Sequence, residues 1–128
     1  MTALYLWINA LMYAVFGVWC ALRLEPTAQN LGYTMLSNSG RSEYLTVYGG
    51  LQWGLALVFA WLAFKPELHR TGVLVAIALY APIVLHRTIS LVRFGPVESL
   101  TKVIAGLEVL MLLAAIALWF LDRARSTA

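Results

Sequence analysis

From Leu100 to Leu121 the chain reads LTKVIAGLEVLMLLAAIALWFL, and only Lys102 and Glu108 in this stretch are charged. A helix of about 20 predominantly apolar residues is long enough to cross the roughly 30 Å hydrocarbon core of a bilayer. The stretch therefore has the length and composition that a membrane-spanning helix requires.

Three similar stretches precede it along the chain, and each ends close to a charged residue or a proline. They cover residues 3–24, 44–64 and 72–94. Together with residues 100–121 they take up most of the sequence, so we expect a single transmembrane domain over residues 1–128. The predicted fold class is all-α, an integral membrane four-helix antiparallel bundle.

The connections between these stretches differ in length. Those at 66–71 and 95–99 are short, as is usual between antiparallel neighbours. The connection at 25–43 is longer and rich in Asn, Ser, Thr and Gly, and we expect a polar surface loop there. In the alternative interpretation, four residues of this segment cover one mouth of the bundle: Leu31, Tyr33, Met35 and Leu36.

The composition excludes a soluble domain. Of 128 residues, 62% are hydrophobic and 12% are charged, and the mean hydropathy is +0.80; soluble domains carry about 25% charged residues. The net charge of +3 is too small to indicate a nucleic-acid partner. Cys20 is the only cysteine, and the sequence contains no paired-histidine or phosphate-binding motif. We therefore expect no metal and no cofactor.

Two faces of the bundle follow from this topology. The termini face holds both termini and the connection 66–71, and the opposite face holds the connections 25–43 and 95–99. Each face carries four Lys or Arg residues, so the positive-inside rule barely distinguishes them. Because Arg123 and Arg125 lie just beyond the fourth stretch, we favour cytoplasmic termini.

Two ionisable side chains lie deep in the apolar stretches, where a charge is costly unless it is paired or hydrated. At a rise of 1.5 Å per residue, Glu108 lies about 3–4 Å and Arg87 about 6 Å from the centre of its stretch, both toward the opposite face. They can therefore meet between adjacent helices. Gln52 lies at a similar depth, and Tyr48 shares its helix face. We expect Glu108, Arg87, Gln52 and Tyr48 to line an intramembrane polar pocket.

This cluster has three interpretations. The Arg87–Glu108 pair can serve only to fix the helix register. Arg87 can instead extend its side chain to the membrane surface. In the third interpretation the pocket binds a proton, a lipid headgroup or a small amphiphile.

Other polar and aromatic residues in the spans have more ordinary interpretations. Trp53 and Tyr80 lie near mid-membrane, where they pack between helices or form a cavity wall. Asn9 lies nearer the termini face and need not join the pocket. His86 points away from its neighbour Arg87 on the helix and is expected to lie toward Pro82, at the interface.

The second stretch contains the segment Gly49-Gly50-Leu51-Gln52-Trp53-Gly54. Gly50 and Gly54 form a small-xxx-small pair, a spacing that lets a second helix backbone approach closely. We expect Gly49, Gly50 and Gly54 to mediate helix packing.

Three segments of the sequence are distinctive: EYLTVYGGLQWGL at residues 43–55, Phe94-Gly95-Pro96 and Leu107-Glu108-Val109. On these segments the chain resembles the small four-span bacterial membrane proteins grouped as domain of unknown function 4345. The resemblance implies the same fold and a bacterial inner membrane location. It implies no reaction, because that family has no assigned activity.

Three functions fit these observations. The first is a non-enzymatic role, as an accessory or structural subunit of a larger membrane complex or homo-oligomer, or as a bundle that binds membrane lipids. The second is a proton-coupled small transporter in which Glu108 titrates. The third is an intramembrane enzyme that acts on a lipophilic substrate, with Glu108 as proton donor or acceptor. We favour the first and assign no catalytic residue, because the sequence contains no recognisable catalytic motif.

Overall fold

Helices account for nearly all of the chain. The computed structural model describes residues 1–34 and 37–126, with side chains described as far as Asp122. Within these residues the α-helices are α1 (Thr2–Leu22), α2 (Leu24–Asn30), α3 (Asn38–Tyr44), α4 (Gln52–Phe64), α5 (His69–Phe94) and α6 (Ser99–Ser126). A π-helix, Leu45–Leu51, joins α3 to α4 without a break, and a 3₁₀ turn, Pro66–Leu68, precedes α5. The described residues contain no β-strand.

Four helical segments are long and apolar enough to cross a membrane. The first to fourth spans are Thr2–Leu22, Asn38–Phe64, Pro66–Phe94 and Ser99–Asp122. The chain reverses direction between successive spans, and the last two reversals take only a few residues. The predicted all-α membrane bundle of four antiparallel helices is confirmed.

The connection between the first and second spans is more ordered than a polar surface loop. It folds into α2 and α3, and the Ser37 Oγ caps α3 by accepting a hydrogen bond from the Gly40 N–H at 3.1 Å. The second span therefore begins before the expected Tyr44. Polar residues lower the hydropathy of this segment, yet they are also the residues that cap a helix. Met35 and Leu36, which belonged to the alternative interpretation, lie outside the described residues.

Helix α2 folds back against the ends of the first and second spans. The Tyr44 hydroxyl donates a hydrogen bond to Thr27 Oγ1 at 3.1 Å, and Cys20 and Ala28 are buried beside Tyr44. Arg41 and Glu25 add an exposed ion pair with an N–O distance of 2.7 Å. These contacts hold the connection over the opposite face of the bundle.

The core lies between all four spans; the fourth contributes Met111 and Ala115 and packs mainly along the third. Leu6, Phe59 and Val73 are fully buried in this core. Leu22 and Val92 remain exposed on its outside, as expected where the surrounding solvent is lipid. Because lipid tails are as apolar as these side chains, close packing and interhelical hydrogen bonds hold such a bundle together.

A chain of buried hydrogen bonds ties three spans together near mid-membrane. The Tyr80 hydroxyl donates to Asn9 Oδ1 at 2.7 Å, and Asn9 Nδ2 donates to the Tyr5 carbonyl oxygen at 2.8 Å. The Tyr5 hydroxyl in turn donates to the Met111 carbonyl oxygen at 2.9 Å. Polar groups in hydrocarbon must find protein partners, so this chain of bonds fixes α1 against both α5 and α6.

The first and second spans approach each other closely at Gly17. A Cβ on Gly17 would lie 3.2 Å from Gln52 Cβ and 3.3 Å from the Gly49 carbonyl oxygen. Gly49 is buried in this contact. Gly50 and Gly54 point outward, and apart from their own helix backbone no described atom lies within 4 Å of where their Cβ would be. The pair does not pack within this bundle, and its role in helix packing stays a prediction for contact with another chain.

Candidate ligand cavity

Arg87 and Glu108, the two deep charges, form a bidentate ion pair between α5 and α6. Arg87 Nε donates to Glu108 Oε2 at 2.9 Å, and Arg87 Nη2 donates to Glu108 Oε1 at 2.8 Å. The Glu108 side chain is 14% exposed and the Arg87 side chain 33%. Arg87 does not extend to the membrane surface, because its guanidinium is held by the carboxylate of the neighbouring helix. Paired bonds of this kind are strong and fix the orientation of both groups.

A cavity of about 590 Å³ lies beside this ion pair and is lined by all four spans. Tyr13 and Tyr80 line it at mid-membrane, and the two connections of the opposite face reach it through Tyr33 and Pro96. The cavity therefore occupies the half of the bundle nearer the opposite face. Its apolar lining residues come from every span: Met12, Phe16, Leu51, Leu55, Leu79, Ile83, Ile104 and Leu107.

All four residues predicted for the polar pocket border this cavity: Tyr48, Gln52, Arg87 and Glu108. The structure brings the two charges into contact, whereas the other two bond elsewhere. The Gln52 side-chain amide donates to the Val47 carbonyl oxygen at 3.3 Å, and the Tyr48 hydroxyl shares a hydrogen bond of 2.8 Å with the Tyr33 hydroxyl. Polar side chains therefore line the cavity at several separate places.

The π-helix Leu45–Leu51 supplies one wall of the cavity. Its wider turn uses i to i+5 hydrogen bonds, a local irregularity that is frequent at functional sites. It carries Tyr48, which stacks on Tyr44 with ring centroids 4.5 Å apart. The carbonyl oxygen of Val47, five residues before Gln52, accepts the hydrogen bond from the Gln52 side-chain amide. Tyr48 in this turn and Gln52 at the start of α4 both line the cavity.

Aromatic rings form a corner of the cavity near its mouth. The rings of Tyr48 and Tyr33 are 5.8 Å apart and inclined at 62°, and those of Tyr48 and Phe16 are 6.5 Å apart and inclined at 66°. All three side chains line the cavity. Tyr48 is therefore in edge contact with both other rings, and all three side chains border the same space.

Glu98 also lines the cavity, from the connection that precedes α6. Its side chain forms no ion pair or hydrogen bond with any residue that the structure describes. Glu98, Phe16 and Gly17 were not predicted from the sequence, and Tyr33 was expected near the bundle only in the alternative interpretation of the first connection. Two carboxylates, Glu98 and Glu108, thus share one lining with a single guanidinium.

The remaining residues singled out from the sequence lie elsewhere. Trp53 is 43% exposed on the outside of the bundle, whereas Tyr80 is buried and also reaches the cavity. Asn9 joins the cavity wall indirectly, through its hydrogen bond from Tyr80. His86 is exposed, and its Nδ1 lies 2.9 Å from the Pro82 carbonyl oxygen, in the direction expected. The described residues contain no group of three His, Cys, Asp or Glu side chains that could hold a metal ion.

Fold and cavity together define a class of protein: a small helical integral membrane protein whose four spans line a partly open cavity with a charged pair in its wall. The chain belongs to the family described as a domain of unknown function (DUF4345), whose model matches residues 1–121. A search of curated proteins and a search of solved structures each found no match to the chain.

Proposed function

We propose that this protein binds one molecule of a membrane-soluble amphiphile in the cavity between its four spans. The observation that carries the proposal is the Arg87–Glu108 ion pair in the wall of a cavity of about 590 Å³. Small-molecule sites are commonly mostly apolar spaces of about 300–1,000 Å³ with a few fixed polar groups. The cavity has that size and that kind of lining.

The distribution of the lining favours a ligand with one apolar part and one polar part. Leu55 and Leu79 border the space on the side of mid-membrane, and Arg87, Glu108 and Tyr48 border it toward the opposite face. An amphiphile that entered from that leaflet would place its tail along the leucines. Its polar group would then lie among side chains that can hydrogen-bond to it.

Native mass spectrometry of the protein, released from lipid nanodiscs, tests the proposal. We expect a bound small molecule to be retained by the wild type and lost from Ile104→Trp, because the indole would project into the cavity one helical turn from Glu108 and clash with an occupant. Leu110→Trp is the matched control, since Leu110 lies on the same helix and is 61% exposed on its outer side. Equal retention by wild type and both variants, or no retained molecule in any of them, would contradict the proposal.

A second candidate role, as a subunit of a larger complex or homo-oligomer, is favoured by one observation. Gly50 and Gly54 form a shallow outward face on the second span, and such faces admit a close second helix. Replacing both with Ile should then release the protein from its partner during gentle purification. Gly106→Ile is the control, because Gly106 also has open space at its Cβ position. An unchanged assembly would contradict this role.

We also place the protein in a bacterial inner membrane with both termini in the cytoplasm. The basic residues Arg123 and Arg125 after the fourth span support this orientation. A carboxy-terminal fusion to a fluorescent protein that matures only in the cytoplasm should therefore be bright. A dark fusion, together with an active periplasmic phosphatase fusion at the same position, would reverse the orientation.

A further inference from the structure

The formal charges around the cavity do not cancel. Arg87 contributes one positive charge, and Glu98 and Glu108 contribute two negative charges. Two of the guanidinium nitrogens of Arg87 already donate to Glu108, so this pair is neutral in sum. Glu98 is exposed directly before α6 and forms no ion pair with the described residues. The side chains that line the cavity therefore carry a formal net charge of −1, which favours a positively charged occupant.

The aromatic corner points to the same occupant. Phe16, Tyr33 and Tyr48 all border one space, and Tyr44 stacks on Tyr48 behind them. A ring face is electrically negative and attracts a cation within about 6 Å of its centroid, and several such rings are used by proteins to recognise quaternary ammonium groups. Tyrosine and phenylalanine rings also tolerate the apolar substituents of such a group.

We propose that the ligand of the cavity is a lipophilic organic cation, an amine or quaternary ammonium amphiphile. Its charged group lies in the corner formed by Phe16, Tyr33 and Tyr48, and Glu98 is its counter-ion. This inference rests on the proposed binding function and adds the chemical class of the ligand. An anionic amphiphile is disfavoured, because it would have to displace Glu108 from Arg87 while leaving Glu98 unneutralised.

Two ions of similar size and opposite charge test the inference: tetraphenylphosphonium and tetraphenylborate. Binding of each to the full chain in dodecyl maltoside micelles is measured by equilibrium dialysis, with protein-free micelles as the reference for partitioning. We expect saturable binding of tetraphenylphosphonium alone. Ile104→Trp should weaken this binding strongly, because the indole projects into the cavity that the ion would enter.

Substitutions at Glu98 and at Tyr48 in the aromatic corner test where the cation binds. Glu98→Gln and Tyr48→Leu should each weaken tetraphenylphosphonium binding roughly tenfold, because each removes one attraction to the cation. Tyr48→Phe keeps the ring and should bind within about threefold of the wild type. Glu43→Gln is the matched control for charge, since Glu43 also lies toward the opposite face but does not line the cavity. Circular dichroism melting curves establish that each variant is folded.

The outcomes separate the ligand class from the binding function. Preferential binding of tetraphenylborate that depends on Arg87 would overturn the cationic class and leave the cavity as a binding site. Binding of neither ion, with an amphiphile still lost only from Ile104→Trp in native mass spectrometry, would also overturn the class alone. If Glu43→Gln weakens tetraphenylphosphonium binding as much as Glu98→Gln does, Glu98 is not the counter-ion of the bound cation. An empty cavity in every assay would overturn both proposals.

Discussion

Arg87 and Glu108 are joined by two hydrogen bonds, of 2.9 Å and 2.8 Å, between neighbouring membrane-spanning helices. The carboxylate is the more buried partner, with 14% of its side chain exposed against 33% for the arginine. The pair therefore fixes α5 against α6 at the same place where it forms part of the cavity wall. Its structural contribution and its contribution to binding can be separated by experiment.

Glu108→Gln should destabilise the folded bundle by about 2 kcal/mol, because it leaves Arg87 without a charged partner in a medium of low polarity. The double variant Arg87→Gln with Glu108→Gln should recover part of this loss, because no uncompensated charge remains. The free energy of unfolding is measured by denaturation with sodium dodecyl sulfate in mixed micelles. Strictly additive losses in the double-mutant cycle would show that the two side chains do not interact.

The exposed pair Arg41–Glu25 is the matched control for this cycle. Its N–O distance is 2.7 Å, but half or more of each side chain is exposed. Exposed ion pairs contribute about 0–1 kcal/mol. Glu25→Gln should therefore change the free energy of unfolding much less than Glu108→Gln does.

Tyr80→Phe should lower the free energy of unfolding by about 1 kcal/mol, because Asn9 Oδ1 loses its hydroxyl donor in the centre of the bundle. Tyr33→Phe should have a smaller effect, since the hydrogen bond between Tyr33 and Tyr48 is exposed and water can replace it. Both changes are measured in the same mixed-micelle assay. A larger loss of unfolding free energy for Tyr33→Phe than for Tyr80→Phe would contradict the buried hydrogen-bond network.

Gly17→Val should destabilise the bundle by about 2 kcal/mol, because its Cβ would lie 3.2 Å from Gln52 Cβ and 3.3 Å from the Gly49 carbonyl oxygen. Gly54→Val should leave the stability of the isolated chain nearly unchanged, since its Cβ position is open. Thermal unfolding in dodecyl maltoside compares the two. Equal midpoints would show that the first two spans do not approach each other at Gly17.

Cysteine accessibility tests the predicted antiparallel topology in whole cells. In a Cys20→Ala background, a membrane-impermeant maleimide should label Glu98→Cys and leave Glu67→Cys unlabelled until the membrane is permeabilised, if the termini are cytoplasmic. The wild-type Cys20 is fully buried and should stay unreactive in the folded protein. Labelling of both introduced cysteines from the same side would contradict a chain that crosses the membrane between them.

Hydropathy located the four spans because each requires a long apolar stretch, and this signal is strong at residues 100–121. It placed the start of the second span too late, because the segment Asn38–Tyr44 is polar but helical. It also gave no indication of α2, which is held by a few local contacts such as that of Tyr44 with Thr27. Short polar helices lack the composition that marks a membrane span.

The depth calculation placed Arg87 near Glu108, since a regular helix converts residue number directly into height. It could not identify the cavity, because the lining is assembled from distant segments such as Phe16, Tyr33 and Glu98. The glycine motif illustrates the same limit. Spacing shows that Gly50 and Gly54 share a helix face, but it does not show which way that face points.

A photoreactive residue in the cavity tests the central claim most directly. Benzoylphenylalanine is placed at position 104, and separately at the outward-facing position 110, and native membranes are irradiated before the cross-linked adducts are weighed by mass spectrometry. An occupied cavity predicts one discrete adduct at position 104 that differs from the mixture of bulk phospholipids captured at position 110. The same bulk mixture at both positions would contradict a bound amphiphile between the four spans.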